Sequence, residues 1–381
     1  MSSSDPRRHR NGFAESSASL RVAPCTENPE TPGNPGRRRL LAASLAGAAL
    51  ALGAPWRAGA QSPAKTATPP KRLPKLTLAG PFATVSYPLI RIAESGALAD
   101  VADTVEFVQW KNPDQLRALA VGKSVQFIAA PSNVAANLYN RGVPLQLLNI
   151  SVWGILWIIS REAHLKRLSD FRGKEIVMPF RNDMPDIMLR IIAERQGINV
   201  DKDFALRYVA SPIDAMQMLL TRRADHALLA EPAVSVGLRK SGTFPAKVIA
   251  PELHRSVDLQ AEWGRAFNRP PRVAQAGVCA LGEPVIADSA LIGRFQRAYA
   301  EALAWCKAEP QACGEMVARR IDMLTPEGVA DSLRTDAFAF MAASAARPEL
   351  EFFYQQLLAR QPGLVGGKLP ADGFYLPAAS A

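Results

Sequence analysis

Strands and helices alternate without interruption between Gly173 and Pro232. Apolar runs of strand length occur at 175–178, 204–209 and 227–230, and helical patterns begin at Pro185, Ser211 and Glu231. Ser211 followed by Pro212 is typical of a helix start, with serine as the N-cap and proline at the first helical position. This alternation predicts an α/β fold with a parallel sheet covered by helices. Such sheets bind ligands at the carboxyl ends of their strands, so the pattern also predicts where a site lies.

The same alternation runs from Lys75 to Asn149, and from Ala287 onward the pattern is mostly helical. Two apolar runs, Ser151–Ile159 and Val273–Leu281, are long enough to lead from one unit into another. The chain also exceeds the usual size of a single domain. We therefore predict two lobes, each a mostly parallel sheet flanked by helices, hinged by two crossings. Lobe 1 comprises residues 75–152 and 273–381, and lobe 2 comprises residues 153–272.

Residues 1–60 have the composition of a leader and an export signal. The first 36 residues or so are rich in Ser, Pro and Asn, which predicts disorder. Three arginines (37–39) then precede Leu40-Leu41, an apolar run to Pro55 and the cleavage pattern Ala58-Gly59-Ala60. The run is shorter than the ~20 residues of a membrane span, which favours a cleaved signal. The paired arginines resemble a twin-arginine signal, with a general secretory signal as the alternative. Residues 61–74 are predicted to be a flexible linker.

Charge and cysteine content exclude several classes of function. The net charge of +10 is dispersed, without a basic run interleaved with aromatic residues, so we expect no nucleic-acid binding. Cys and His form no cluster with metal-ligand spacing, so we expect neither a metal nor a cofactor. Cys279 lies in an apolar run and is expected to be buried. Cys306 and Cys313 are seven residues apart and either pair in an oxidising compartment or stay free, because sequence does not reveal the required geometry.

Two segments carry a family resemblance. Asp170-Phe-Arg-Gly-Lys-Glu-Ile-Val-Met-Pro179 and Ala224-Asp-His-Ala-Leu-Leu-Ala-Glu-Pro232, together with the export signal and the two alternating units, resemble periplasmic solute-binding proteins of ABC importers. The branch that it resembles takes sulfonates, taurine and nitrate, and includes binders of thiamine precursors and phthalate. The resemblance covers most of residues 75–340. It implies the type II periplasmic-binding-protein fold, a periplasmic location, a small-molecule ligand, an inner-membrane permease as partner and a monomer.

The chain departs from this family in the loop after the strand that ends at Pro179. Family members often have small residues there, so that an anion meets bare backbone donors. This chain has Phe180-Arg-Asn-Asp-Met184 instead. Such a bulky, charged loop suggests a larger ligand, or a pocket in which the guanidinium of Arg181 replaces backbone donors toward carboxylate or sulfonate oxygens.

Candidate ligand contacts in the first lobe follow its strand ends. Phe82, Thr84 and Tyr87 lie after the first strand and offer ring and hydroxyl contacts, or pack locally as loop residues. Ser132 and Asn133 begin a helix that faces the predicted cleft, where Ser132 is expected to be the N-cap in any case. A helix N-terminus also attracts anions, so both roles are compatible.

Further candidates lie at the crossing and in the second lobe. Trp153 offers a large flat surface with one donor, or belongs to the core. Arg181 and Asp183 contact the ligand, pair with each other or extend into solvent. Glu231 lies at a helix start, where the helix dipole favours a carboxylate with or without a ligand. A carboxylate in the cleft would match a cationic or hydroxylated group.

The favoured function is non-catalytic: a periplasmic receptor that captures a small organic anion, such as a sulfonate or carboxylate, by closing its lobes around it. One alternative is an enzyme on the same fold, of the thiamine-pyrimidine or menaquinone-pathway type, but histidines are few and none has a Ser or Cys partner in a recognisable nucleophile pattern. The other alternative is a binding module that serves a sensor kinase, which sequence does not separate from the receptor.

Overall fold

The computed structural model describes residues 72–243, 252–334 and 337–378. The predicted leader, the export signal and residues 61–71 of the predicted linker lie outside the described residues. The first strand begins at Leu73, so the last two residues of the predicted linker belong to the sheet. Among the described residues, no helix combines the length and the apolar character that crossing a membrane requires.

The described residues form eleven strands in two sheets. The strands are β1 Leu73–Gly80, β2 Ala102–Gln109, β3 Phe127–Pro131, β4 Leu145–Val152, β5 Leu156–Ser160, β6 Glu175–Pro179, β7 Ala205–Val209, β8 His226–Ala230, β9 His254–Asp258, β10 Ala276–Leu281 and β11 Phe338–Ala342. The first sheet has the order β11-β4-β10-β3-β1-β2, and the second sheet has the order β7-β6-β8-β5-β9.

Helices cover these sheets and connect their strands. Within the described ranges they are α1 Tyr87–Ser95, α2 Pro113–Val121, α3 Ser132–Asn140, α4 Met184–Arg195, α5 Val200–Asp203, α6 Pro212–Leu220, α7 Ala233–Ser241, α8 Leu259–Phe267, α9 Glu283–Ala287, α10 Ser289–Ala308, α11 Pro310–Ala318, α12 Pro326–Ser332 and α13 Ala343–Arg360. Short 3₁₀ turns occur at 84–86, 168–171, 362–365 and 372–374. The predicted α/β class is confirmed.

Both sheets are mixed. In the first sheet β1 pairs in parallel with β2 and β3, whereas β10 and β11 pair antiparallel with their neighbours. In the second sheet β6 pairs in parallel with β7 and β8, whereas β5 is antiparallel to β8 and β9. Parallel neighbours need a long crossover connection. β5 and β10 instead arrive from the other sheet by short joins, which explains why the antiparallel pairs surround them.

The two crossings are hydrogen-bonded to each other. The chain leaves β4 for β5 through residues 153–155 and returns to β10 after α8. The amide of Val273 donates to the carbonyl of Trp153 (3.0 Å), and the amide of Gln275 donates to the carbonyl of Val152 (3.1 Å). The side-chain Oε1 of Gln275 accepts from the amide of Ile155 at 3.1 Å. The crossings therefore form one narrow strap between the sheets.

Most predicted helix starts are confirmed, with one exception. Ser211 caps α6 by accepting from the amide of Asp214 (3.2 Å), and α4 begins at Met184, one residue before the predicted start at Pro185. The prediction that Ser132 caps α3 is wrong. Ser132 is the first helical residue, and its hydroxyl donates to the carbonyl of Ala274 at 2.6 Å. The hydroxyl of Ser132 thus bonds to a carbonyl that is distant in the sequence instead of accepting from an amide of its own helix.

The region after Ala287 contains a strand that the helical prediction does not include. Phe338–Ala342 forms β11, which pairs with β4 through Phe338↔Val152 and Ala342↔Asn149. A five-residue apolar run has no clear period and is therefore ambiguous between strand and helix. The tail then packs against α3: Asn137 donates to the carbonyl of Gly363 at 2.6 Å.

The three described cysteines are free and buried. Cys279 lies in the core on β10, as predicted. Cys306 lies in the last turn of α10, and Cys313 lies near the middle of α11. The two thiols do not form a disulfide. Burial raises the pKa of the Cys306 thiol far above its usual range, and its neighbour Cys313 raises it further. These thiols therefore behave as small apolar side chains.

Gly277, in the middle of the first sheet, provides a test of the packing between β10 and β4. A Cβ at this position would overlap the backbone carbonyl of Asn149. We expect Gly277→Ala to lower the free energy of unfolding by about 1–3 kcal/mol, because only backbone movement relieves the clash. Gly293→Ala is the control: a Cβ in this part of α10 meets only the end of Arg297 at 3.7 Å. It should stabilise the helix by up to ~1 kcal/mol. Denaturant unfolding of both variants measures this, and equal effects would contradict it.

Candidate functional site

A cavity lies between the two sheets, at the carboxyl ends of their parallel strands. Its volume is ≈ 110 Å³. Pro81 follows β1, and Pro131 ends β3; Pro179 and Ala230 end β6 and β8 of the second sheet. Parallel strands bring the residues that follow them to one edge of a sheet, and this edge is the usual ligand position in open α/β sheets. We call this space the intersheet cavity.

The wall of the intersheet cavity is largely apolar. The apolar lining residues are Pro81, Phe82, Ala83, Val85, Trp110, Pro113, Leu116, Ala130, Pro131, Val152, Ile155, Leu156, Pro179, Phe180, Met184, Pro185, Pro212, Ala230 and Ala276. The other lining residues are Lys111, Asp183 and Gln275. The side-chain oxygen of Gln275 is already bonded to the amide of Ile155. One cation and one carboxylate are therefore the charges of this wall.

The helices that begin at this wall present prolines to it. Pro113, Pro185 and Pro212 lie within the first two residues of α2, α4 and α6 and line the cavity. Proline has no amide hydrogen to donate. Side-chain caps occupy further amides in each helix, for example the amide of Gln115, which donates to Asn112 at 3.0 Å. These helix N-termini therefore offer few free donors to an anion, in contrast to the usual anion site at a helix start.

The loop after β6 has a strained backbone, and one of its side chains reaches the cavity. Phe180 (φ 61°) and Asn182 (φ 59°) are in the left-handed region, which is costly for a residue with a bulky side chain. Phe180 lines the intersheet cavity, whereas Arg181 is exposed, with its guanidinium carbon 5.3 Å from the ring centroid of Tyr208. Arg181 does not line the intersheet cavity, and its predicted ligand contact stays a prediction.

Asp183 connects the two sides of the cleft. Its Oδ1 accepts from the amide of Met184 at 2.9 Å and caps α4. Its Oδ2 lies 3.5 Å from Nη2 of Arg117, which belongs to α2 on the first-sheet side. The carboxylate is buried, and burial raises its pKa, although the amide of Met184 and the charge of Arg117 oppose this rise. The charge of Asp183 is therefore only partly compensated.

Asp183 also lines a second, polar cavity of ≈ 230 Å³. Arg117, Asn133 and Asn182 share this cavity. Asn133 is 3% exposed, and among the described residues its Oδ1 has no hydrogen-bond partner. A buried amide oxygen without a hydrogen bond costs free energy, and Oδ1 of Asn140 and of Asn149 are in the same condition.

A third cavity of ≈ 500 Å³ lies beside the crossings. Trp153 lines it and donates from Nε1 to the carbonyl of Ala339 at 2.8 Å. Glu231 also lines it, but it is 1% exposed, accepts from the amide of Ser235 (3.0 Å) and pairs with Arg255. Burial raises the pKa of Glu231, and Arg255 opposes that rise. These two partners account for the burial of Glu231, which binds the first turn of α7 through Ser235.

The predicted site residues thus fall into separate groups. Phe82 and Asp183 line the intersheet cavity, Asn133 joins Asp183 at the polar cavity, and Trp153 and Glu231 lie at the third. Three others line none of these cavities and are buried: Thr84, Tyr87, whose hydroxyl lies 3.3 Å from Ser332, and Ser132. Their predicted ligand contacts gain no support from their positions, because their side chains lie in the core.

Several lining residues that the sequence reasoning did not select share one signal. Trp110 and Lys111 come directly after β2, and Phe180 comes directly after β6. Leu116 and Met184 lie in the first turns of the helices that follow. Selecting the residues that immediately follow a parallel strand would have identified most of them.

One arrangement resembles a catalytic triad and is not expected from the sequence. Ser160 Oγ lies 2.9 Å from Nδ1 of His226, and Nε2 of His226 lies 3.3 Å from Oε1 of Glu162. Ser160 is fully buried at the end of β5 and lines none of the three cavities, so a substrate has no route to it there. Among the described residues, no group of three or more His, Cys, Asp or Glu side chains is placed to hold a metal ion.

Comparison with known proteins identifies the fold. No protein-family model matches the sequence, and a search of curated proteins finds no match. An ABC transporter structure from Parabacteroides distasonis is 20% identical and matches with a TM-score of 0.65, over 81% of this chain and 100% of that chain. The alkanesulfonate-binding protein SsuA from Xanthomonas axonopodis pv. citri, bound to MOPS, is 14% identical, with a TM-score of 0.59 over 80% of this chain and 98% of that chain.

The periplasmic nitrate-binding protein NrtA from Synechocystis PCC 6803 matches as well, with 12% identity and a TM-score of 0.60 over 75% of this chain and 82% of that chain. The structural neighbours are thus periplasmic binding proteins of ABC transporters, and the predicted two-lobe fold class is confirmed. At these identities the likeness establishes the fold alone.

His226 makes the stability of the protein depend on pH. Burial lowers the pKa of its imidazole below 6.5, although Glu162 acts in the opposite direction. The unfolded chain therefore binds a proton at a higher pH than the folded protein does, and stability falls as the pH drops below about 6.5. His226→Gln should remove this part of the pH dependence between pH 7.5 and 5. Denaturant unfolding of both proteins across that range measures it, and parallel curves would contradict the expectation.

Proposed function

We propose that this protein is the solute-binding receptor of an ABC importer and that it binds a small organic molecule in the intersheet cavity. The observation that carries the proposal is the position of that cavity: it lies at strand ends of both sheets, and among the described residues two crossings join those sheets along the chain. Such a geometry permits closure around a ligand by hinge motion. The wall of the cavity is mostly apolar and, within the described part of the chain, holds no nucleophile beside a general base, so we propose that the protein binds its ligand without catalysing a reaction.

The two lobes of the proposed receptor follow the sheets. Lobe 1 would comprise residues 75–152 and 273–381, and lobe 2 would comprise residues 153–272. The strand membership supports this division, because β1–β4, β10 and β11 share the first sheet, whereas β5–β9 share the second. The Arg117–Asp183 contact would then be an interlobe contact that forms in the conformation described here.

The ligand class proposed from the sequence is a small organic anion with a carboxylate or sulfonate group. Lys111 in the intersheet cavity and Arg117 at the polar cavity support an acidic group on the ligand. The apolar wall supports an organic rather than an inorganic anion, since burying apolar surface contributes ~25 cal/mol per Å². The receptor would be a periplasmic monomer that delivers this ligand to an inner-membrane permease.

Blocking the intersheet cavity tests the receptor function. Native mass spectrometry of the protein, purified gently from the periplasm, should reveal a bound small molecule of defined mass, and adding that molecule to stripped protein should compact it in X-ray scattering. Ala276→Leu places a larger side chain in the cavity and should weaken binding at least about tenfold. Ala290→Leu, at an exposed position of α10, is the matched control. Compaction and binding that persist in Ala276→Leu would place the ligand elsewhere.

Export by the twin-arginine route is tested at the arginine pair. Replacing Arg38 and Arg39 by lysines keeps the charge but should abolish export by that route, leaving an unprocessed chain in the cytoplasm. The same replacement at Arg7 and Arg8, outside the signal, is the control. Cell fractionation and the mass of the mature N-terminus measure the outcome. Unchanged processing in the first variant would indicate the general secretory route.

A further inference from the structure

The charges of the intersheet cavity have opposite signs and stand in an otherwise apolar wall. Lys111 contributes the cation and Asp183 contributes the carboxylate. A ligand that carried only an acidic group would match Lys111, but it would place a like charge near Asp183, whose counterion in the protein is Arg117 at 3.5 Å. A ligand that carried only an amine would leave Lys111 unmatched. The pair is complementary to a molecule with both charges.

Asp183 has acceptor capacity that the protein does not use. Oδ1 accepts from the amide of Met184, whereas Oδ2 has, within the part of the chain that the structure describes, only the contact with Arg117 at 3.5 Å. Hydrogen bonds between ions of opposite charge are usually about 2.7–2.9 Å long, so this contact is loose. Its side chain is 9% exposed, and water therefore does little to solvate the charge. An ammonium group in the cavity would supply the missing donor.

Lys111 is available to an acidic group. Its backbone amide donates to Oε1 of Gln115 at 2.7 Å, which fixes the start of α2. Lys111 is an exposed residue that lines the cavity. Pro113, Pro185 and Pro212 have no amide hydrogen to donate, so Lys111 is the cationic partner that this wall offers to an acidic group.

The apolar part of the wall limits the size and polarity of the uncharged part of the ligand. The cavity volume of ≈ 110 Å³ is of the order of a cavity that holds one benzene ring, about 150 Å³. Phe82, Leu116 and Ile155 are among the side chains that a branched alkyl group or a small ring would contact. A polar body would lose its water without gaining hydrogen bonds from these residues.

We propose that the ligand is a small zwitterion with a compact apolar body, such as an apolar α-amino acid, with its ammonium group at Asp183 and its acidic group at Lys111. This inference rests on the proposed function and specifies its ligand class. It retains the acidic group expected from the sequence and adds a cationic group and an apolar side chain.

Calorimetry with stripped protein and four probes tests the ligand class. Leucine carries all three features, 3-methylbutylamine lacks its acidic group, 4-methylpentanoate lacks its ammonium group, and glycine lacks its apolar body. We expect leucine to bind at least about tenfold more tightly than each of the others, because each of them leaves one charge or the apolar wall unmatched.

Two variants assign the charges. Asp183→Asn retains a good helix cap and should weaken leucine binding at least about tenfold while leaving 4-methylpentanoate unchanged or tighter. Asp322→Asn, an exposed carboxylate that does not line the intersheet cavity, is its control. Lys111→Gln should weaken leucine and 4-methylpentanoate but not the amine, with Lys123→Gln as its control.

The outcomes separate this inference from the proposed function. If 4-methylpentanoate binds as tightly as leucine, or if none of the four probes binds, the zwitterion is overturned. The receptor would still stand if a co-purified molecule compacts the protein and Ala276→Leu prevents it. Absence of any ligand-induced compaction would count against the receptor itself.

Discussion

The hydrogen bonds between the two crossings are the constraint on which the rest of the structure depends. The amides of Val273 and Gln275 donate to the carbonyls of Trp153 and Val152, so both connections between the sheets run side by side. Gly154, between them, has φ 112°, and a Cβ there would overlap the side chain of Gln260. Gln260 in turn accepts from the amide of Leu156 at 3.0 Å. This paired strap holds the carboxyl ends of both sets of parallel strands toward one gap, and the intersheet cavity is that gap.

The gap contains features that stability alone does not favour. Asp183 is a buried carboxylate with a loose counterion, Asn133 has an unpaired Oδ1, and Phe180 has a left-handed backbone that costs about 1–2 kcal/mol. Such features persist where the surrounding structure enforces them, and they concentrate at functional sites. Their proximity, with Asp183 shared by two cavities, supports binding at this place better than any one of them does.

Local sequence signals predicted elements well where a single face or cap decided the structure. Ser211, Asn112 and Gly96 act at helix ends as their chemistry predicts. The signals failed where a distant partner decided. Ser132 bonds to Ala274, 142 residues away, instead of capping α3. β11 is a strand because β4 has a free edge for it, which no local pattern shows. The loop after β6 is a related case, since its backbone places Phe180 in the cavity wall and leaves Arg181 exposed.

The sequence by itself determined the α/β class, the alternating order of elements, the two crossings and the strand ends at which a cavity forms, because periodicity, caps and turn residues act over a few neighbours. Only the tertiary structure decided which side chains meet in that cavity. Lys111 and Asp183 follow strands of different sheets and are 72 positions apart in the sequence. The cavity wall that they share, with its prolines and its small volume, forms where the two sheets pack against each other across the strap. Such packing depends on the relative position of the sheets, which no short stretch of sequence encodes.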